Sequence, residues 1–577
     1  MSQDFAMMRT TAFLQTALVV DDEIQVGNDQ YAAEEATLGT ASLEMDYDQR
    51  ASEGDEFGLD RVPGEDHSLD SMKVVESFAD HGISCAVLQP RGPSPDDLGR
   101  VESLAVRSDI VVLDWLLGRS DEIKSGPGEE TTSLGLVKNI VSHDIEAGNR
   151  LRLICIYTAT PDLHSIVDRI GAVICDLHAY TDQVIVDHGS LSVSVDSLRI
   201  LVVAKPHHSA PPDGAVCTEA ELPARMIYEF CELAGVGLLP QLALAAISSI
   251  RDNAHRLLAR FDRNLDSAFI SHRAMTDSVG AEQFAHSLVS SEVTSLLSTV
   301  EVASAVYEAP IEARVEQLLG NLPEKRMLNK VKFGQSYRSV TLGEAREILT
   351  NGLDSNGKVR IDNADVPLRC SSTTSLFSRS EQEHEIYSES LAIDLAFGAL
   401  SSLARTPEHD GKGTPAPLLR LGALLRGDDG KYLLCLQPLC DSVRLSGSVA
   451  FPLMPLSTAS AESEVFDIVV GSRDSYVALS RDGVKLSDVR VASFDASSDV
   501  GMVQALWGSE DSRWRFYGSR SSSVQGGDAG AGAGNPVFEW VGDLRPEKAN
   551  QIVAHLVTNL GRTGINEFEY LRRSGRK

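Results

Sequence analysis

Three acids in a row, Asp21-Asp22-Glu23, follow the apolar run Ala17–Val20. A fourth acid, Asp114, closes a second apolar run, Ile110–Leu113, within SDIVVLDWLLG. An uninterrupted β-branched run of this kind reads as a strand buried on both faces, and parallel α/β sheets place ligands at the C-terminal ends of such strands. Two strands then deliver carboxylates to one sheet edge. Anions brought together in this way demand a cation. Two more strand-like runs end on polar residues that suit the same edge: Leu151–Tyr157 closes on Thr158-Ala159, and Leu198–Ala204 closes on Lys205-Pro206.

The elements that must position these side chains alternate. Residues 11–20 predict the first strand, and the acidic segment 24–70 has no sustained period and reads as a long insertion. Met72, Val74, Val75 and Phe78 mark a helix that Gly82 ends, and Ile83–Leu88 is a second strand. A helix over 95–107 precedes the Asp114 strand. After a polar loop at 119–131, Leu134, Leu136, Val137, Ile140 and Val141 mark another helix, and one more fits 162–172. Residues 184–195 alternate, with a turn at His188-Gly189, and predict an added hairpin. Five strands alternating with helices predict a doubly wound parallel sheet.

From Glu219 to about Val302 the pattern is helical, with Leu242, Leu244, Ile247, Ile250, Leu257, Leu258 and Phe261 in a stripe that reads as packed core or a dimer interface. Residues 305–415 give no fold. Strands dominate from Leu418 to Tyr517, at 418–425, 431–437, 448–454, 465–470, 475–479 and 488–494, and a helix is expected at about 545–560. The organisation read from the sequence is a domain over 1–235 with insertions near 24–70 and 175–198, then a helical region 236–305. A mixed region 306–415 and a β-rich domain 416–577 with a flexible Gly/Ser-rich loop at 519–535 complete it.

The chain of 577 residues is too long for one core, and its 42% hydrophobic and 23% charged residues are those of a globular protein. A net charge of −31 argues against nucleic acid and anionic membranes as partners, since both reward Lys and Arg. No apolar run approaches membrane-spanning length, and the eight scattered cysteines read as reduced thiols of a cytoplasmic protein. Cys435 and Cys440 lack the second ligand pair that zinc needs.

Taken together, VVDDE at 19–23, VVLDW at 111–115, YTA at 157–159 and VVAKP at 202–206 resemble the receiver domain of two-component response regulators over roughly residues 15–235. The resemblance implies a flavodoxin-like strand order for that region; the helical region and the β-rich α+β C-terminal domain that follow are read from the residue pattern alone. It implies a bacterial phosphorelay protein in which Asp114 accepts a phosphoryl group from a histidine kinase or phosphotransfer protein. Mg²⁺ would be held by Asp21, Asp22, Asp114 and the backbone carbonyl of Leu116. Lys205 would pair with the phosphoryl oxygens and Thr158 would donate its hydroxyl to them. The Lys205-Pro206 bond would be cis, as is common in the family.

The sequence departs from the family at Val202, where an aromatic switch residue is usual, and at Gly118, where Pro is usual. The output is expected to be a protein partner, with the helical region as a candidate homodimer interface. Two other readings stand beside it. One is an enzyme in the C-terminal half, with Asp441, Glu567 or Glu569 in its site; the other is a receiver that only stores phosphate, as a sink or decoy in a bacterial stress or phage-defence two-component system. A dehalogenase-type phosphatase would need an acid at 116, where Leu116 stands. His207-His208 read as a solvated loop.

Overall fold

The computed structural model describes residues 2–561 apart from 26–68, 91–94, 118–131, 148–149, 178–183, 207–211, 213, 236, 276–277, 299, 321–327, 334–335, 353, 355–357, 362–363, 368–373, 375–376, 378–382, 408–413, 460–465, 472–474, 482, 485, 499–500 and 520–534. Most of the 24–70 insertion, Gly118, His207, His208, Glu567, Glu569 and the Gly/Ser-rich loop therefore lie outside the described residues. The chain forms two compact units, one of residues 1–255 with 294–314 and the other of 256–293 with 315–577.

The first unit opens with a helix where the sequence suggested the start of a strand. Helix α1 (Ser2–Phe13) precedes β1 (Thr16–Val20), because Phe13 stacks on Phe230 at 5.5 Å and takes residues 11–13 out of the sheet. Then follow α2 (Ser71–Asp80), β2 (Ser84–Leu88), α3 (Pro95–Ala105), β3 (Ile110–Leu113), α4 (Thr132–Glu146), β4 (Arg152–Thr158) and α5 (Leu163–Asp176). The hairpin β5 (Ile185–Asp187) and β6 (Ser192–Val195) leads into β7 (Leu198–Ala204), α6 (Leu222–Ala234) and α7 (Leu238–Arg260). The sheet runs β2-β1-β3-β4-β7-β6-β5. Its first five strands are parallel in flavodoxin-like order, and the hairpin adds two antiparallel strands beyond β7.

Both faces of the parallel strands are covered, which is why their sequences are continuously apolar. On one face Val74 and Phe78 of α2 and Leu222, Met226 and Phe230 of α6 pack on Val19, Val112, Cys155 and Leu201. On the other, Val137 and Ile140 of α4 and Ile166 and Ile170 of α5 pack on Val20, Leu113, Ile156 and Ile200. The hairpin covers the β7 edge with Leu191, Val193 and Val195, and its Val186 sits so close to Gly171 of α5 that an added Cβ would lie 2.8 Å away. Of the α7 stripe, Leu244 is buried, whereas Ile247, Leu258 and Phe261 are exposed. Only part of that stripe is core.

The C-terminal unit is built on a ten-stranded antiparallel sheet and is strand-rich, as the sequence indicated. Strands at Ala423–Gly427, Tyr432–Cys435, Ser448–Thr458, Ile468–Val470, Val477–Ser480 and Arg490–Asp495 match the six expected runs. Leu506–Gly508, Arg513–Tyr517 and Val537–Leu544 continue the sheet beyond them, and Leu403–Arg405 joins its Val537–Leu544 strand. A bridge between Phe494 and Gly518 brings the sheet round on itself. Phe451, Phe494, Phe516, Trp514 and Trp540 fill the enclosed core. The outer face, with Leu424, Leu434 and Met454, packs on Ile552 of the last helix, Pro546–Gly561.

No described helix is long and apolar enough to cross a membrane.

Candidate functional site

The C-terminal ends of β1, β3, β4 and β7 meet at one edge of the parallel sheet. Ladder hydrogen bonds run one residue past the strands and fix three of the polar side chains there. Asp21 N–H donates to the Leu88 carbonyl (3.1 Å), Asp114 N–H to the Val20 carbonyl (2.9 Å) and Lys205 N–H to the Thr158 carbonyl (2.9 Å). The polar residues that follow the four apolar strands thus converge because the strands share a register.

Asp21, Asp22 and Asp114 each offer a carboxylate oxygen to a cluster whose atoms all lie within 4.8 Å of one another. Such a set of hard oxygen donors suits a divalent cation of the Mg²⁺ type. Among the described residues it is the one acidic, Cys or His group of this kind. Cys435 is buried in the C-terminal core and Cys440 is exposed.

Lys205 supplies the balancing charge. Its ammonium donates to Asp21 Oδ2 at 2.8 Å and lies 3.6 Å from Asp114 Oδ2. The other Asp21 oxygen accepts from Glu23 N–H at 2.8 Å, and Asp114 Oδ1 accepts from Trp115 N–H at 2.8 Å. Burial is the largest influence on Asp114 and, with the neighbouring Asp21 and Asp22, pushes its pKa up to about 7 against the opposing pull of Lys205. Burial would lower the Lys205 pKa, but Asp114 and Asp21 more than reverse it and hold the ammonium above its usual range.

Thr158 is buried at the end of β4. Its hydroxyl donates to Thr160 Oγ1 at 3.0 Å and accepts from Thr160 N–H at 3.2 Å. Leu116 lies on the turn two residues past Asp114 and is partly buried. Val202, where the family usually has an aromatic residue, is packed in the core between β4 and the hairpin turn. Among the described residues no peptide bond is cis, so the Lys205-Pro206 bond is trans, which corrects the expectation from the family. The ladder bond to Thr158 and the pull of two carboxylates aim Lys205 inward without it.

Three neighbours were given no role by the sequence. Ser133, at the start of α4, donates to the Asp114 carbonyl at 2.5 Å, and Gln89 donates to the Asp22 carbonyl at 2.7 Å. The Tyr157 ring lies 5.8 Å from the Lys205 ammonium. Their roles depend on contacts across the fold, and the neighbouring position of Tyr157 to Thr158 was the one signal in the sequence.

Residues 13–210, about a third of the chain, match the family model of the response receiver domain. No curated protein and no solved structure matches the chain. The match covers the parallel sheet with all of its site strands, and it places this region in phosphorelay signalling.

Proposed function

We propose that the receiver domain accepts a phosphoryl group on Asp114 from a histidine kinase or phosphotransfer protein and passes the change to a protein partner. The observation that carries this reading is the pairing of one buried lysine with two carboxylates at the strand ends, that of buried Asp21 and that of partly buried Asp114. An Asp114 oxygen forms a bond to phosphorus while the donor's P–N bond breaks, and the electron pair of that bond returns to the donor imidazole. Asp21, Asp22, Asp114 and the Leu116 carbonyl are the residues that would hold Mg²⁺. When bound, the ion neutralises charge on the phosphoryl oxygens.

Lys205 remains charged and offers its ammonium to the same oxygens, and Thr158 has a hydroxyl free to exchange Thr160 for them. Trp115 N–H holds one Asp114 oxygen, which leaves the other for attack. The reading extends to a cytoplasmic protein with its output in the C-terminal regions and self-association through the helical region 236–305, where Leu258 and Phe261 are exposed. The domain division at 235, 305 and 415 belongs to this proposal. Incubation with acetyl phosphate and Mg²⁺ is expected to add one phosphoryl mass to the wild-type chain and none to Asp114→Asn. Equal addition to both would refute the assignment.

A further inference from the structure

Tyr157 lies beside Thr158 at the end of β4 and is buried on the face covered by α2 and α6. Its ring centroid is 5.8 Å from the Lys205 ammonium, and its phenol donates to the Cys217 carbonyl at 2.9 Å. Cys217 N–H in turn donates to the Ala204 carbonyl at 3.0 Å, and Ala204 N–H donates to the Ala215 carbonyl at 2.8 Å. The segment 215–217 is therefore laid along the end of β7 and tied across to β4 by one phenol. It leads into α6, whose approach is pinned to α2 where Ser77 Oγ donates to the Glu219 carbonyl at 3.0 Å. The same segment walls a cavity of about 540 Å³ with Leu191, Val202, Val203 and Arg225. On that side Val216 is exposed, while Ala215 and Cys217 are held in the two cores of the sheet.

We propose that Tyr157 is a positioning residue that couples the state of Asp114 to the segment 215–217 and, through it, to α6. This rests on the phosphoryl-accepting reading above. A phosphoryl group on Asp114 offers new anionic oxygens to an ammonium that now bonds Asp21. As the ammonium turns toward them its place over the Tyr157 ring changes, and a cation over an aromatic face contributes measurably to where that ring settles. The ring and its hydroxyl move as one rigid body, so the Cys217 hydrogen bond registers the change. Burial keeps the phenol protonated and a donor throughout. No bond is made or broken by Tyr157.

The test uses the full chain with acetyl phosphate and Mg²⁺, reading intact mass and pulsed amide hydrogen exchange on the same sample. In the wild type, the modified protein is expected to exchange amides in 215–222 at a rate changed by about threefold or more. Tyr157→Phe keeps the ring and loses the hydroxyl. It is expected to gain the same phosphoryl mass at a rate within about twofold of wild type while the exchange change in 215–222 disappears. A Tyr157→Phe protein with the wild-type exchange response overturns the proposal, as does a modified wild type with no response there. Failure of the wild type to gain mass sinks the receiver reading, and this proposal with it.

Discussion

The ammonium of Lys205 is 2.8 Å from Asp21 Oδ2 and 3.6 Å from Asp114 Oδ2, so one cation serves two carboxylates that come from different strands. With Asp22 alongside, the site holds more negative than positive charge in a partly buried place, and its energetics follow from that imbalance.

The first consequence concerns pH. The folded-state pKa of Asp114, pushed up to about 7, lies above the ordinary carboxyl value, so the native protein binds this proton more tightly than the unfolded chain does. Stability from that proton is fully present below about pH 4 and is lost as pH rises toward 7. Asp114→Asn removes the loss. In the absence of divalent cation it is expected to stabilise the protein by about 2 kcal/mol at pH 8 and by almost nothing at pH 4. Urea titrations of both proteins at the two pH values measure this; an equal effect at both would contradict it.

Divalent cation should act in the opposite direction from charge repulsion. Millimolar Mg²⁺ is expected to raise the Tm of the wild type by several degrees, and chelation should reverse the rise. Asp21→Asn and Asp22→Asn should each lose most of that rise, which thermal melts with and without the ion compare directly. A rise that persists in both variants would place the ion elsewhere.

The insertion between β1 and α2 should be dispensable for the ion. Ile24 and Gln25 pair in parallel with Leu69 and Asp70, so the ends of the inserted segment are adjacent. Replacing 26–68 with a short Gly/Ser linker is expected to leave the Mg²⁺-dependent Tm rise unchanged, since loop length enters stability only weakly. Isothermal titration of the shortened protein would expose any loss of affinity.

Away from the site, Arg152 is almost wholly buried at the opposite end of β4. Its guanidinium donates to both Asp144 oxygens at 2.6 and 2.9 Å and to the Ala105 and Ser108 carbonyls at 2.9 and 2.7 Å, tying α3 and α4 to the sheet. Arg152→Met leaves Asp144 buried without its charged partner and is expected to cost about 3–5 kcal/mol, read as a fall in the urea midpoint. Asp114 phosphorylation in the remaining folded protein should be little changed.

Much of this was written in local pattern. Continuous apolar runs such as Ile110–Leu113 can be buried only in a sheet covered on both faces, and acids or a lysine directly after such runs must emerge at the sheet edge, so Asp21, Asp22, Asp114, Thr158 and Lys205 were legible without coordinates. What local pattern could not carry was decided by packing across the chain. Phe13 belongs to a helix because Phe230 meets it, and Leu258 is exposed although it shares a stripe with buried Leu244. Tyr157 reads in sequence as another strand apolar. Its tie from Lys205 to Cys217 exists because residues 60 positions apart are folded against each other, and periodicity holds no record of such a contact.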